Sequence, residues 1–376
     1  MSVSAHSAGT HSGSPEDPSS AAKKSHERAA APDTEDVPAQ ESHGRFATHP
    51  RELPPAGWRD ILARVKSEIG SDHVSLVSAG LAMYALLAVF PGLAAAVAIY
   101  GLFASPADVV QPMQSFSALL PPGTWEIFSR ELQALAGQAQ GSLTLTAIAG
   151  IGIALWGARA GMSALMVATN IAYAEAEKRG FVRQILVSLA FTLAAIVGFL
   201  LVLGIGVVFP LALKALGASR WARLPLGGLR WCALWAAAAL GLSVLYRYAP
   251  SRQPASWRWV RWGSAIAATL WILVSLGFAF YVGTFASYGR TYGALGGVIA
   301  LLMWFYLSSF TIVLGAEINA EMERQTKRDT TDGPEVPMGQ RGAFAADTLG
   351  PSAGSAPISQ QSETGRVIPD VAQRQQ

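Results

Sequence analysis

The stretch from Tyr292 to Glu321, YGALGGVIALLMWFYLSSFTIVLGAEINAE, is uncharged up to Ala316 and then carries Glu317, Asn319 and Glu321 in close succession. At about 1.5 Å per residue, a helix of this length crosses the roughly 30 Å hydrocarbon core of a bilayer. Backbone polar groups in lipid must be satisfied within the segment, so the run predicts a helix rather than an open strand. The stretch therefore predicts a membrane protein with acids at one end of a spanning helix.

The rest of the chain extends this prediction. Of its 376 residues, 51% are hydrophobic and only 14% are charged, which is typical of a membrane protein. Runs of the same kind predict an all-α, polytopic protein with six transmembrane helices. The predicted helices lie near 74–103, 143–171, 184–213, 229–249, 263–285 and 294–317.

The two ends of the chain have a different composition. Residues 1–57 are rich in Ser, Ala, Pro, His and mixed charge, and residues 326–376 in Gly, Ser, Pro and Gln. Such compositions bury too little apolar surface to offset chain entropy. We expect both segments to be disordered tails around a membrane domain at 58–325. Within that domain, residues 58–69 have apolar side chains at helical spacing among basic ones, which predicts a short helix in the headgroup region.

Basic residues indicate the orientation of the helices. Short loops rich in Lys and Arg stay cytoplasmic, and such clusters precede the first predicted helix and follow the second, fourth and sixth. The loop after the third helix opposes this pattern with Lys214, Arg220 and Arg223. The balance still predicts that both termini are cytoplasmic.

One predicted helix carries a polar stripe. At about 100° per residue, a single sector of it holds Arg159, Ser163, Met166, Asn170, Tyr173 and Glu177. Charged side chains at membrane depth are costly and mark candidate sites. The stripe fits either a cytoplasm-facing cavity for an anionic ligand or lipid headgroup, or a snorkelling arginine and interhelical hydrogen bonds.

Other residues within the predicted helices favour a cavity or helix packing. Pro91 removes a backbone hydrogen bond in the first helix and predicts a kink, with Tyr84 about two turns before it. Glu317 and Asn319 project to different sides of the last helix. Small residues that allow close helix approach are Gly157, Gly161, Gly293, Gly297 and Gly315.

Catalytic sites based on histidine or a phosphate loop are excluded within the apolar block. All six histidines, at positions 6, 11, 26, 43, 49 and 73, precede the first predicted helix, and the pattern GxxxxGK[ST] does not occur. Cys232 is the only cysteine, so no cysteine-based metal site can form. We expect no enzyme activity, no metal or other cofactor, and no nucleic-acid partner; membrane lipids are the expected partners.

Four strings of the sequence resemble the YihY/BrkB family of bacterial inner-membrane proteins. They are HVSLVSAGLAMYALLAVFPGL, LWGARAGMSALMVATNIAYAEAEKRGF, YRYAPSR and the opening stretch. The resemblance covers about 58–325 and implies a six-helix protein of the inner membrane. Members have been labelled ribonuclease BN or virulence factors, and no agreed activity comes with the family. The matching positions are Tyr84, Pro91, Asn170, Glu177, Arg179, Tyr248, Pro250, Tyr292, Gly293, Gly296, Gly315, Glu317 and Asn319.

Three functions follow as hypotheses. The first is a non-enzymatic protein that binds or transports a small anionic solute or lipid through a cytoplasm-facing cavity. There, Arg159 would supply charge, Asn170 and Asn319 hydrogen bonds, and Glu177 and Glu317 balancing acids. The second is a structural or scaffolding protein whose polar stripes hold helices together. The third and least favoured is a ribonuclease, because its acids lie near loops and helix ends.

Overall fold

The structure is a computed structural model that describes residues 41–100, 145–205, 209, 220–284 and 294–353. Within these ranges seven long helices follow one another: α1 (Pro55–Ser71), α2 (Val74–Tyr100), α3 (Leu145–Ala172), α4 (Phe181–Leu203), α5 (Arg220–Tyr248), α6 (Trp257–Thr284) and α7 (Ala294–Glu323). A 3-10 turn, Pro50–Glu52, precedes them and a short helix, α8 (Phe344–Asp347), follows. The all-helical prediction is confirmed, and α2 to α7 correspond to the six predicted helices.

Not every helix is shown to be a membrane span. Within the described ranges, four helical segments are long and apolar enough to cross a bilayer: Phe181–Val202, Leu226–Tyr248, Trp257–Thr284 and Gly296–Glu323. A fifth arises if Pro55–Ser71 and Val74–Ala88, which meet at a bend of 64°, count as one broken span. The structure therefore shows a multi-pass membrane protein with four to five candidate spans.

Helix α7 lies at the centre of the bundle. It packs against α1, α2, α3 and α6, and α2 also packs closely on α3. From Gly315 to Glu323 every residue of α7 is buried, including three glutamates. The helix runs past its predicted end at residue 317 because these acids are enclosed by protein at one end of the bundle.

Small residues lie where helices approach closely. A side chain at Gly157 would meet Pro91 of α2 at 3.1 Å, and one at Gly161 would meet Ala88 at the same distance. On α7, Gly315 lies against Ala267 of α6 and the Tyr246 hydroxyl of α5. The Tyr246 hydroxyl also donates to the Ile312 carbonyl at 2.7 Å.

The other predicted packing glycines give less information. Gly297 is buried in the first turns of α7. Gly293 lies outside the described residues. Ser308, on the same face of α7 as Gly297, accepts a hydrogen bond from the Trp271 indole of α6 at 3.0 Å.

The predicted tails are partly wrong. Residues 41–54 and 324–353, which we call the cap, pack together over the ends of α1 and α7. The Lys327 amide donates to the Arg45 carbonyl at 2.7 Å, and the Thr326 hydroxyl donates to the Ala47 carbonyl at 2.7 Å. Both segments are thus ordered, while residues 1–40 and 354–376 lie outside the described residues.

Buried arginines explain why composition gave the wrong prediction for the cap. Arg341 is 6% exposed and donates to the carbonyls of Val336, Ala346 and Lys327 at 2.7–3.0 Å. Such a guanidinium orders a polar segment through backbone carbonyls rather than apolar burial. A measure based on apolar content does not detect this kind of order.

Helix α1 also differs from its prediction. Its buried residues, which include Ile61, Arg64 and Val65, face α7 and the cap. The amphipathic pattern correctly predicts a helix, but the buried side contacts protein rather than headgroups. It contacts protein because the cap supplies partners for the polar members of that side.

Candidate functional site

Arg159 lies near the middle of α3, on the side towards α4. Its Nη1 donates to the Ser188 hydroxyl at 3.2 Å, and its guanidinium carbon stacks 4.5 Å from the centre of the Trp156 ring. The arginine is half-buried, its Nε has no hydrogen-bond partner among the described residues, and Trp156 is 56% exposed. Among the residues that the structure describes, no carboxylate lies within ion-pair distance of Arg159.

Asn170 and Glu177 belong to a separate cluster at the end of α3. The Asn170 carbonyl oxygen accepts from the Ser251 amide at 2.8 Å, and its amide nitrogen donates to Glu177 at 3.2 Å. Arg179 donates to both oxygens of Glu177 at 2.7 and 2.8 Å and to the Ala249 carbonyl at 2.7 Å. These contacts tie the α3–α4 turn to the α5–α6 turn, and we call them the turn clamp.

The charge of Glu177 is fixed by the clamp. The hydrogen bond from the Arg179 side chain lowers the pKa of Glu177 to about 2, against the opposing effect of partial burial. Glu177 is therefore ionised and paired under ordinary conditions.

The most enclosed ion pair joins the α5–α6 turn to the end of α7. Arg252 donates to the two oxygens of Glu323 at 3.0 and 2.6 Å, and the two side chains are 0% and 1% exposed. Its guanidinium lies 4.2 Å from the centre of the Tyr173 ring, and Thr330 of the cap donates to Glu323 at 3.0 Å. Burial is the largest single effect on the pKa of Arg252 and lowers it, but the charge and hydrogen bonds of Glu323, together with Tyr173 and Glu175, raise the pKa above its ordinary value.

A second buried pair joins α1 to α7. Arg64 bonds the Glu321 carboxylate through Nε and also donates to the Gln325 side chain at 2.8 Å and the Pro351 carbonyl at 2.9 Å. Arg324 donates to the other oxygen of Glu321 at 2.5 Å. One guanidinium thus bridges helix α1, helix α7 and the cap.

Three predicted site residues have buried polar atoms without a hydrogen-bond partner among the described residues. Glu317, Asn319 and Tyr173 are each 1% exposed. Among the described residues, Oε1 of Glu317, both polar atoms of the Asn319 amide and the Tyr173 hydroxyl have no partner of good geometry. Asn319 lies against Gly263 of α6, while Glu317 faces the α1–α2 bend, close to Asp72 and Glu68.

The predicted residues therefore fall into three places. Arg159 precedes Tyr173 by 14 residues of sequence, which is roughly 20 Å along a helix. Glu317 lies near Tyr173, at the cap end, so Arg159 and Glu317 do not meet. Ser163 is half-buried on α3, and Tyr84 and Pro91 lie on α2, with Tyr84 48% exposed and Pro91 against Gly157.

The sequence reasoning missed the residues that organise the cap. In the sequence, Arg64 and Arg252 belong to the basic clusters that indicate the orientation of the helices, and Glu321 and Glu323 are among the acids at the end of the last predicted helix. The available signal was the spacing of the acids at the end of α7, because alternate glutamates project in several directions and need partners on several sides. Nothing local to Arg64 or Arg252 identifies those partners.

Comparisons with known proteins identify a family model and a relative that match most of this chain. The model of the family described as virulence factor BrkB matches residues 65–339. The ribonuclease-like protein YfkH of Bacillus subtilis strain 168 is 35% identical over 255 residues, which cover 66% of this chain and 90% of that protein.

Shorter matches point to the same group. A UPF0761 membrane protein of Tolumonas auensis is 34% identical over 82 residues, which cover 22% of this chain and 27% of that protein. The UPF0761 membrane protein XAC0937 of Xanthomonas axonopodis pv. citri is 43% identical over 60 residues, 16% of this chain and 14% of that protein. No solved structure matches.

Proposed function

This chain belongs to the virulence factor BrkB family, and from that premise we propose that it binds and moves a small anionic solute or an anionic lipid across the bacterial inner membrane. The protein acts without catalysis. Arg159 is the anion-binding residue. The observation that carries the proposal is a half-buried guanidinium near the middle of α3, a helix that we propose spans the membrane, with no carboxylate partner among the described residues. A charge in that position is costly and marks a ligand site.

The chemistry around Arg159 suits an anion. Its guanidinium offers planar donors that match phosphate or carboxylate oxygens, and the hydrogen bond to Ser188 occupies only one of them. Trp156, which is 56% exposed, stacks on the guanidinium and holds it in place, and in our proposal its exposed face is turned to lipid. Anionic lipid reaching the site from the side and free anion reaching it from solution are therefore both chemically suited.

We also propose six spans with both termini cytoplasmic. The two described chain ends meet in the cap, where Arg45 and Lys327 are directly hydrogen-bonded. An even number of crossings places both ends on one side, so six spans, α2 to α7, fit this contact and five do not. The basic loops beside the cap favour the cytoplasm for that side.

The anion proposal is tested with the fluorescence of Trp156. Purified protein is placed in nanodiscs that contain brominated phosphatidylglycerol or brominated phosphatidylcholine, and the Trp156 signal is the difference between the wild type and Trp156→Phe. We expect stronger quenching by the anionic lipid in the wild type and in Arg159→Lys, and equal quenching by both lipids in Arg159→Gln. If inorganic phosphate abolishes the stronger quenching by the anionic lipid, a free anion is identified as the ligand.

A matched control separates binding at Arg159 from general surface charge. Arg183 is an exposed arginine in the first turn of α4, so Arg183→Gln removes the same charge elsewhere. It should leave the Trp156 quenching unchanged. Equal quenching by the two lipids in the wild type, with no effect of phosphate, would contradict the proposal.

The name of the Bacillus relative supports a ribonuclease as the second candidate. In the described ranges, no three His, Cys, Asp or Glu side chains group as a metal site. Of the five glutamates considered for this role, four are paired with basic residues: Glu175 with Lys178, Glu177 with Arg179, Glu321 with Arg64 and Glu323 with Arg252. The fifth, Glu317, has no basic side chain within ion-pair distance among the described residues. RNA cleavage with magnesium that co-elutes with pure protein and disappears in one of these variants would replace the transport proposal.

A further inference from the structure

Glu317 differs from the other two glutamates at the end of α7. Glu321 and Glu323 are equally buried, but each is held by arginines. Glu317 is 1% exposed, and its Oε1 has no hydrogen-bond partner among the described residues. No basic side chain among the described residues lies within ion-pair distance of the Glu317 carboxylate.

The surroundings of Glu317 are mainly acidic. The charged groups that act on it are Asp72 from the α1–α2 bend, Glu68 from α1, and Glu321 and Arg324 from α7 and its end. Arg324 is already paired with Glu321 at 2.5 Å and with Glu68 at 3.5 Å. From the α3 side the titratable group is Tyr173, which carries no positive charge.

An ionised carboxyl in this position lacks compensation. The penalty for burying a lone ion is several kcal/mol even after relaxation, and a buried charge persists only when it is paired or neutralised. The described part of the chain provides arginines for the neighbours of Glu317 and not for Glu317 itself. Compensation of an ionised Glu317 therefore requires a cation from outside the described residues.

We propose that Glu317 is the binding site of a monovalent cation, either a proton or a sodium ion, at the α1–α2 bend. A single carboxylate matches a charge of +1, whereas a divalent ion needs more acidic ligands than the described residues bring together here. The site is separate from Arg159 and does not depend on anion binding there.

Loss of the cation acts on the bend. An ionised Glu317 would add a negative charge beside Glu68, Asp72 and Glu321, and its neighbour Arg324 is already shared by two of these acids. Like charges repel strongly in a poorly solvated site, so the unbound form favours separation of α1 and the bend from α7. Binding and release of the cation therefore bias the 64° bend between α1 and α2.

Thermal unfolding in detergent tests the site. The melting temperature of wild-type protein is measured between about pH 6 and about pH 9, where ordinary glutamates stay ionised, and with sodium replaced by choline at constant ionic strength. A proton site predicts a melting temperature that falls as pH rises, regardless of sodium. A sodium site predicts one that rises with sodium concentration. Either result in the wild type, with a flat profile in Glu317→Gln, supports the proposal.

Two further measurements keep the test decisive. Glu323→Gln is the matched control, since it removes a buried acid that has its arginine, and it should lower the melting temperature by a similar amount at every pH and sodium concentration. If Glu317→Gln does not yield folded protein, Glu317→Leu takes its place. A wild-type melting temperature that is independent of both pH and sodium, or a dependence that Glu317→Gln retains, would overturn the proposal.

Discussion

Arg252 and Arg159 carry the same charge in two regions of one molecule, but their surroundings differ in burial and in the partners of the guanidinium. Arg252 is 0% exposed, bound by both oxygens of Glu323 and stacked on Tyr173. Arg159 is half-buried and meets a hydroxyl and an indole instead of a carboxylate. The first charge is neutralised inside the chain and holds the fold together. The second is left available, which is why we assign it to a ligand.

The difference extends to the regions around the two arginines. In the cap, polar side chains and backbone carbonyls are joined by several arginines, each with multiple partners. Away from the cap, the contacts between helices are made by small residues and hydroxyls, such as Gly161 against Ala88. Charge is thus a structural element at one end of the bundle and an exception in its middle.

The largest effect is expected for Arg252→Met. This substitution leaves Glu323 buried without its cation, and breaking a buried pair costs about 3–5 kcal/mol. The free energy of unfolding in detergent, measured by denaturant titration, should fall by that amount. The double variant Arg252→Met with Glu323→Met should recover most of the loss, because it removes both charges. A single variant as stable as the wild type would contradict the structural role of the pair.

A smaller loss is expected for Asn170→Ala in the turn clamp. The Ser251 amide would lose its acceptor in a buried position, which costs about 1–3 kcal/mol. Ser163→Ala is the control, because Ser163 lies half-buried on the same stripe of α3 and outside the clamp. It should cost less than about 0.5 kcal/mol. Equal losses for the two variants would indicate that the clamp does not stabilise the turns.

The sequence predicted the helices well because their signal is local. An apolar run such as Val298 to Ala316 is long enough to cross a bilayer only as a helix, whatever the rest of the chain does, and it is helical throughout. The order of the cap was not predictable in the same way. It depends on pairs such as Arg64 with Glu321, whose members are 257 residues apart.

The candidate site was predictable only in part. Arg159 could be identified because a charge within an apolar run is visible in the sequence itself. Which acids lack a partner could not be identified, because Glu317, Glu321 and Glu323 look equivalent until the positions of Arg64 and Arg252 are known. The residues predicted to line one cavity therefore lie in three separate clusters.

Acid should weaken the turn clamp slightly. The pKa of Glu177 is lowered to about 2 by the Arg179 hydrogen bonds, from an ordinary value of 4.5. Its contribution is fully present above the ordinary value and is lost as pH falls from there towards 2. The carboxylate is partly solvated, so the loss should stay below about 1 kcal/mol. Glu177→Gln should remove this part of the acid dependence of the unfolding free energy, and an unchanged dependence would argue against the clamp.

The smallest effect on stability is expected for Arg159→Gln. Gln keeps a donor for Ser188, and no carboxylate among the described residues loses a partner. Removing a partly desolvated charge offsets the lost stacking on Trp156, so the unfolding free energy should change by less than about 1 kcal/mol. Measured beside Arg252→Met in the same detergent, this variant separates the two roles of arginine. A loss as large as that of Arg252→Met would make Arg159 a structural residue and favour the scaffolding hypothesis over ligand binding.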